Sequence, residues 1–405
     1  MSSTAEVLAR WDTVMMRNYG TPPLVLDHGK GCRVWDVDGR EYLDFVGGIA
    51  VSSLGHAHPA IVAAVTEQVS KLAHTSNLAA HEPGVRLAEQ LAGLLPAPGR
   101  VFFSNSGTEA NECAVKLVRR YGRTTDEPRM GIVAAHGSFH GRTLGALAIT
   151  GNAAKREPFL PLPGHVTFVD YGDVEQLKAA VDGTIGAVFL EPTLGEGGVV
   201  PPPAGYLAAA RAICDAAGAL LVIDEVQSGV GRTGHWLACE AEGIQPDILT
   251  LGKGLAGGLP LGACIAYGVA ADLFAPGDHG STFGGNPVSC AAALAVLDVI
   301  REENLLDAVK NIGEYLARGL ESIESPLIKE VRGSGLWRGV ALDGAHAAAV
   351  ETAARAAGLL VNAVKPDVLR LAPALIVEDS EVDTAVELLS HSISSVSMSL
   401  TGGAQ

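Results

Sequence analysis

The chain has 405 residues, 48% of them hydrophobic and 18% charged, with a formal net charge of −16 at pH 7. That length suits a large two-lobed unit or several domains, and the composition is that of a packed globule rather than a disordered or fibrous chain. The acidic balance, with no Lys/Arg run to offset it, excludes a nucleic-acid binder, which needs a basic face.

The opening stretch, MSSTAEVLARWDTVMMRNYG, lacks the basic start and apolar run of a secretory signal, so a cytoplasmic location is the expectation. The two longest uncharged runs, 254–271 and 280–297, carry glycines and prolines and do not read as membrane helices. Six cysteines (32, 113, 214, 239, 264 and 290) are scattered without a CxxC pair or a histidine at ligand spacing. Neither a disulfide framework nor a zinc site is expected. His56 and His58 in SLGHAHPAI form an HxH, but no third ligand motif accompanies them and proline follows, so this reads as a turn.

From about residue 100, short apolar runs alternate with helical periodicity. VFFS (101–104) is followed by TEANECAVKLVRRYG, in which Ala110, Cys113, Ala114, Leu117, Val118 and Tyr121 recur on one helical face. GIVAAH (131–136), VTFVD (166–170) and GAVFLEP (186–192) are further strands, and AGYLAAARAICDAAG (204–218) is a helix stopped by Gly218. LLVIDE (220–225), DILTLG (247–252) and GACIAYG (262–268) complete the strand set. Such alternation predicts an α/β fold with a mostly parallel, helix-covered sheet, whose ligands sit beyond the carboxyl ends of its strands. Helices near 286–303 and 305–320 and the shorter elements GLWRGVAL and VLRLAPAL then change the character of the chain. The expected division is a large domain over 51–290 and a small domain over 291–405, the latter joined by the segment 1–50.

LLVIDEVQSGVGRTG (220–234) ends an apolar strand on Asp224 and Glu225, a costly place for charge unless something pairs with it. A nucleotide site would need GxxxxGK[ST], but both GK pairs, Gly29-Lys30 and Gly252-Lys253, are followed by glycine. Gly229, Gly231 and Gly234 spell GxGxxG, yet too far past the strand and with no helix after them. No GxSxG elbow occurs. A structural ion pair and a cationic cofactor stay open for Asp224. Lys253 in LTLGKGLAGGLPLGA stands at another strand end between glycines, a setting that favours a neutral, nucleophilic amine. In FFSNSGTEANE (102–112), Gly107 and Thr108 open the periodic helix, whose first amides make either a phosphate cradle or an ordinary cap. Phosphate cradle, nucleophilic lysine and an aspartate for a ring nitrogen together describe pyridoxal 5′-phosphate binding.

NSGTEANE, SFHGRTLGALAITG, LVIDEVQSGVGRTG, LTLGKGLAGGLPLGA and GSTFGGNP resemble, in order, the signature segments of class III aminotransferases of fold type I. The resemblance covers about residues 20 to 395 and implies a ping-pong transamination between a small-molecule amino donor and 2-oxoglutarate. It implies that Lys253 forms the Schiff base, Asp224 keeps the ring nitrogen protonated, Gln227 contacts the phenolic oxygen and Phe139 stacks on the ring. Gly107 and Thr108 would bind the phosphate. Thr282 would complete that site from the other subunit of a homodimer, with Ser281 approaching the substrate. Arg142 and Arg370 match the family's carboxylate-binding arginines, and Glu191 is matched to a glutamate that masks Arg370 while an ω-amino donor is bound. An acetylated ornithine is the expected donor, with ornithine, succinyl-diaminopimelate and 4-aminobutyrate as alternatives. His136 and His140 flank Phe139 without an assigned role.

Overall fold

The computed structural model describes residues 3–124 and 126–402. Its centre is a seven-stranded sheet in the order Gly99–Ser104, Gly262–Tyr267, Ile248–Leu251, Leu220–Asp224, Ile185–Leu190, Gly131–Ala135, His165–Val169. These are the seven apolar runs read from the sequence. The five inner strands are buried along their whole length, whereas the two edge strands are only partly so. Strands covered on both faces read as unbroken hydrophobic runs, which is why they were legible.

Gly262–Tyr267 is antiparallel to both of its neighbours, and the other pairings are parallel. A parallel return needs a crossover of roughly a dozen residues or more. The connection after Leu251 offers a glycine-rich stretch with one 3₁₀ turn, Lys253–Ala256, so the chain doubles back.

The Gly107–Tyr121 helix buries Ala110, Cys113, Ala114, Leu117 and Val118 against one face of the sheet, where they meet Phe189, Val222, Ile248 and Cys264. Tyr206–Ala217 packs on the other face and ends at Gly218, whose φ of +66° is the left-handed cap that glycine adopts without strain. Pro287–Glu302 packs against Pro59–Lys71 and Glu82–Ala92, carrying the chain unbroken through residues 290 and 291.

Two smaller sheets flank this core. Leu26–Lys30, Arg33–Asp36 and Glu41–Asp44 form an antiparallel meander, to which Leu359–Leu360 adds in parallel, so distant parts of the chain share one sheet. Ile328–Ser334, Trp337–Leu342, Val368–Leu371 and Asn362–Lys365 make an antiparallel sheet that carries Arg370. Among the described residues no helix is long and apolar enough to cross a membrane.

Candidate active site

Asp224 ends the middle strand of the large sheet, at its carboxyl end. Its side chain is buried, and its Oδ2 accepts from Asn111 Nδ2 at 2.7 Å and from His140 Nδ1 at 2.8 Å. An ionised carboxylate only accepts, so Nδ1 carries the imidazole proton. The amide of Val226 donates to Oδ1 at 3.0 Å. Asn111 arrives one helical turn after Gly107 and also donates to the His140 carbonyl at 2.7 Å. Glu225 points the other way, as alternate residues at a strand end do. It accepts from Ser228 Oγ at 2.5 Å and from the Cys239 amide at 2.8 Å. Burial pushes its carboxyl up and these hydrogen bonds oppose the rise. The two neighbouring acids therefore have separate tasks, and only Asp224 faces the cavity.

Lys253 stands at the carboxyl end of the adjacent strand, in the left-handed region with φ +42°. A β-carbon on Gly252 would lie 3.1 Å from the Gly107 nitrogen, so the lysine's strand end and the helix start approach closely only because glycine is there. Burial, then the Arg370 charge, pushes the Lys253 amine down to about 8 against the pull of Glu196, Glu191 and Asp224. Lys253 and Asp224 line one cavity of about 140 Å³, together with Gly107, Thr108, Phe139 and Gln227.

At one end of this cavity the Ser106 hydroxyl accepts from the Glu109 amide at 3.2 Å. The amides of Gly107 and Thr108 belong to the first turn, where no intrahelical acceptor exists. A β-carbon at Gly107 would lie 2.4 Å from Val226 Cγ1, so the cradle requires glycine. Gln227 Nε2 and His140 Nε2 are buried without a hydrogen-bond partner among the described residues. A carboxylate, a partly neutral amine, free helix amides and an unused amide donor suit an anionic cofactor with a basic heterocycle; the residues present fit pyridoxal 5′-phosphate.

The carboxylate opposite Arg370 is not the one the sequence suggested. Arg370 is buried, and its Nη1 donates to Glu196 Oε1 at 2.8 Å and to Gln227 Oε1 at 3.3 Å, while Nη2 donates to Asn362 Oδ1 at 2.8 Å. Glu191 instead accepts from the amides of Phe139 at 2.8 Å and Gly195 at 3.2 Å. Burial pushes its carboxyl up to about 7, with Asp224 adding to the rise and His140 and those amides opposing it. Glu191 thus anchors the Phe139 loop, and it is Glu196 that pairs with Arg370 here. Burial alone would raise the Glu196 carboxyl, but Arg370, Lys253 and Lys155 together hold it below its ordinary value.

The class III aminotransferase family model matches residues 14–393. The chain belongs to the class III aminotransferases. The acetylornithine aminotransferase of Mycobacterium tuberculosis is 58% identical over 390 residues, covering 96% of each chain, and that of Streptomyces coelicolor is 58% identical over 382 residues, covering 94% of each. Among solved structures, N-acetylornithine aminotransferase from Stenotrophomonas maltophilia is 38% identical with a TM-score of 0.82, covering 93% of this chain and 97% of that one. Ornithine aminotransferase from Toxoplasma gondii is 33% identical with a TM-score of 0.93, covering 98% and 97%.

The remaining residues of this aminotransferase singled out from sequence sit at the rim or away from it. Arg142 is exposed, with its guanidinium carbon 5.5 Å from the Phe139 ring centre. Ser281 is held in a turn, accepting from Asn105 Nδ2 at 3.2 Å and from the Gly284 amide at 2.9 Å; Thr282 is exposed, and neither lines the cavity of its own chain. His136 is exposed against Phe168, whereas His140 is the buried partner of Asp224. His56 pairs with Asp44 at 2.9 Å and His58 accepts from the Ala60 amide at 3.3 Å. Sequence reading passed over Asn111, Glu196 and Lys155, and it named His140 without giving it a role. Asn111 alone left a usable signal: a polar residue on the buried face of the helix, one turn past the proposed cradle.

Proposed function

We propose that this aminotransferase moves the terminal amine of N2-acetyl-L-ornithine to 2-oxoglutarate, giving N-acetyl-L-glutamate 5-semialdehyde and L-glutamate in cytoplasmic arginine biosynthesis. Lys253 would hold pyridoxal 5′-phosphate covalently, with Asp224 at the ring nitrogen, Gln227 at the phenolic oxygen, Phe139 on the ring face and Gly107 and Thr108 at the phosphate. Thr282, with Ser281, would come from the second subunit of a homodimer whose sites lie at the interface. When bound, the cofactor supplies an electron sink for the charge left on the substrate carbon as its proton departs.

The chain's own groups account for the rest. Asn111 and His140 fix the Asp224 carboxylate in one orientation, so its charge is directed before substrate arrives. Lys253, with its amine pushed down to about 8, is partly neutral near neutral pH and can take the proton from the amine-bearing carbon of the substrate.

The Arg370–Glu196 pair carries the reading. Glutamate presents its α-carboxylate beside the reacting amine and needs a free arginine there. An ω-amino donor has no carboxylate at that position, and a bare buried guanidinium would draw its distal carboxylate into the wrong pose. Glu196 neutralises Arg370 for the donor and can yield it to glutamate. Arg142, at the rim, suits the donor's α-carboxylate. The similarity to two acetylornithine aminotransferases over nearly their whole length favours the acetylated donor. Steady-state kcat/KM for acetylornithine, ornithine, succinyl-diaminopimelate and 4-aminobutyrate with 2-oxoglutarate tests it. Acetylornithine should rank first; a higher value for any of the other three would overturn the assignment.

A further inference from the structure

Lys155 has no part in the reaction, yet it stands beside two residues that line the cavity, Phe139 and Glu196. It lies in the short helix Ala153–Arg156, whose start is capped by Asn152. Arg156 pins that helix by donating to the Thr150 carbonyl and lying 4.0 Å over the Phe168 ring. Lys155 Nζ is thereby set 4.9 Å from the centre of the Phe139 ring and 3.8 Å from Glu196 Oε2, with its side chain 26% exposed.

The two oxygens of Glu196 are divided between two cations: Oε1 accepts from Arg370 at 2.8 Å, and Oε2 faces Lys155. When a substrate carboxylate takes Arg370, Glu196 must leave it. A half-buried carboxylate released without a partner is costly. Glu196 sits in the loop closed by the Leu194–Val200 bridge, followed by Gly197 and by Gly198 at φ +104°, so its neighbours on that side present no side chain to block a swing.

We propose that Lys155 is the second seat of the Glu196 carboxylate, receiving it when glutamate occupies Arg370 and returning it when the ω-amino donor binds. Lys155 is a positioning residue, acting on substrate choice through Glu196. This rests on the reading of Glu196 as the mask on Arg370. Removing Lys155 leaves Glu196 nowhere to go, so the mask stays on and glutamate is disfavoured relative to the donor.

The test measures each half-reaction separately by single-turnover absorbance, with L-glutamate and with acetylornithine, and takes the ratio of their kcat/KM values. Lys155→Met should lower the glutamate-to-donor ratio about tenfold, as for a part-buried ion pair. Lys155→Arg should restore most of it. In a Glu196→Ala background, Lys155→Met should move the ratio less than about twofold, since contacts acting as one unit are not additive. An unchanged ratio in Lys155→Met overturns the proposal. So does an equal fall in the Glu196→Ala background, which would mean that Lys155 touches substrate directly. If Glu196→Ala by itself leaves the wild-type ratio unchanged, the masking role fails first and Lys155 with it. Lys155→Gln, read the same way, replaces the methionine variant should that one fold poorly by circular dichroism.

Discussion

His140 Nδ1 lies 2.8 Å from Asp224 Oδ2 with both side chains buried, and Asn111 Nδ2 reaches the same oxygen at 2.7 Å. Two donors on one oxygen set the plane of the carboxylate, while Glu225, next in the chain, is bound to Ser228 and the Cys239 amide behind the strand.

The two acids should therefore separate cleanly on substitution. Asp224→Asn is expected to lower kcat on the order of 10²–10³-fold, the scale of a preorganised electrostatic group. Glu225→Gln should keep kcat near the wild-type value and lose about 1–3 kcal/mol of unfolding free energy, as buried hydrogen bonds weaken. Steady-state kinetics and urea titration of both variants check this. Equal kinetic losses would mean that both acids serve the reaction.

His140→Ala should act through Asp224. It strips one of the two side-chain donors from a buried carboxylate, so cofactor affinity is expected to fall about tenfold. Asn111→Ala should do the same, and the double variant should lose more than either alone. Fluorescence titration of apoprotein with pyridoxal phosphate measures it.

The Lys253 amine, pushed down to about 8, should react with amines' reagents at unusually low pH. Labelling of the apoprotein with an amine-reactive probe, followed by peptide mapping, should give a midpoint near 8 at Lys253. A free lysine side chain used as a reference amine titrates at about 10.4. A Lys253 midpoint at that reference value would contradict the effects of burial and of the Arg370 charge.

Glu191 titrates near 7 in the folded chain against 4.5 ordinarily, so the folded state holds its proton more tightly. Its contribution to stability is full below about pH 4.5 and is lost as pH rises through 7. The stability difference between wild type and Glu191→Gln should thus shift against the wild type between those pH values and level off above them. Chemical denaturation of the apoproteins at half-unit pH steps reads the sign directly.

The proposed homodimer predicts complementation between inactive subunits. A Lys253→Ala chain and a Thr282→Arg chain, each inactive alone, should recover about one quarter of wild-type activity when refolded together. That follows if half the dimers are mixed and each has one intact site with Thr282 drawn from the partner. No recovery from confirmed mixed dimers would place Thr282 in its own chain's site.

Much of this architecture was legible because buried strands advertise themselves as apolar runs, and Asp224 and Lys253 are the residues at which two such runs stop. The reversal of Gly262–Tyr267 was available in principle from the shortness of the preceding connection. The Arg370 partner was not. Glu191 and Glu196 are five residues apart in LEPTLGEGG, and Arg370 lies 174 residues beyond Glu196 on a different sheet. Only the fold decides that the strand-end acid is spent on the amides of Phe139 and Gly195 while the loop acid reaches the guanidinium. Lys155 was hidden for a similar reason: in sequence it is one exposed-looking cation of a short helix, and its proximity to Glu196 is purely tertiary.

The most direct test of the transamination mechanism is a burst experiment without acceptor. Holoenzyme mixed with excess acetylornithine and no 2-oxoglutarate should release one equivalent of semialdehyde per Lys253 site and stop, and resume when 2-oxoglutarate is added. Continuous release without acceptor, or no release at all, would contradict it.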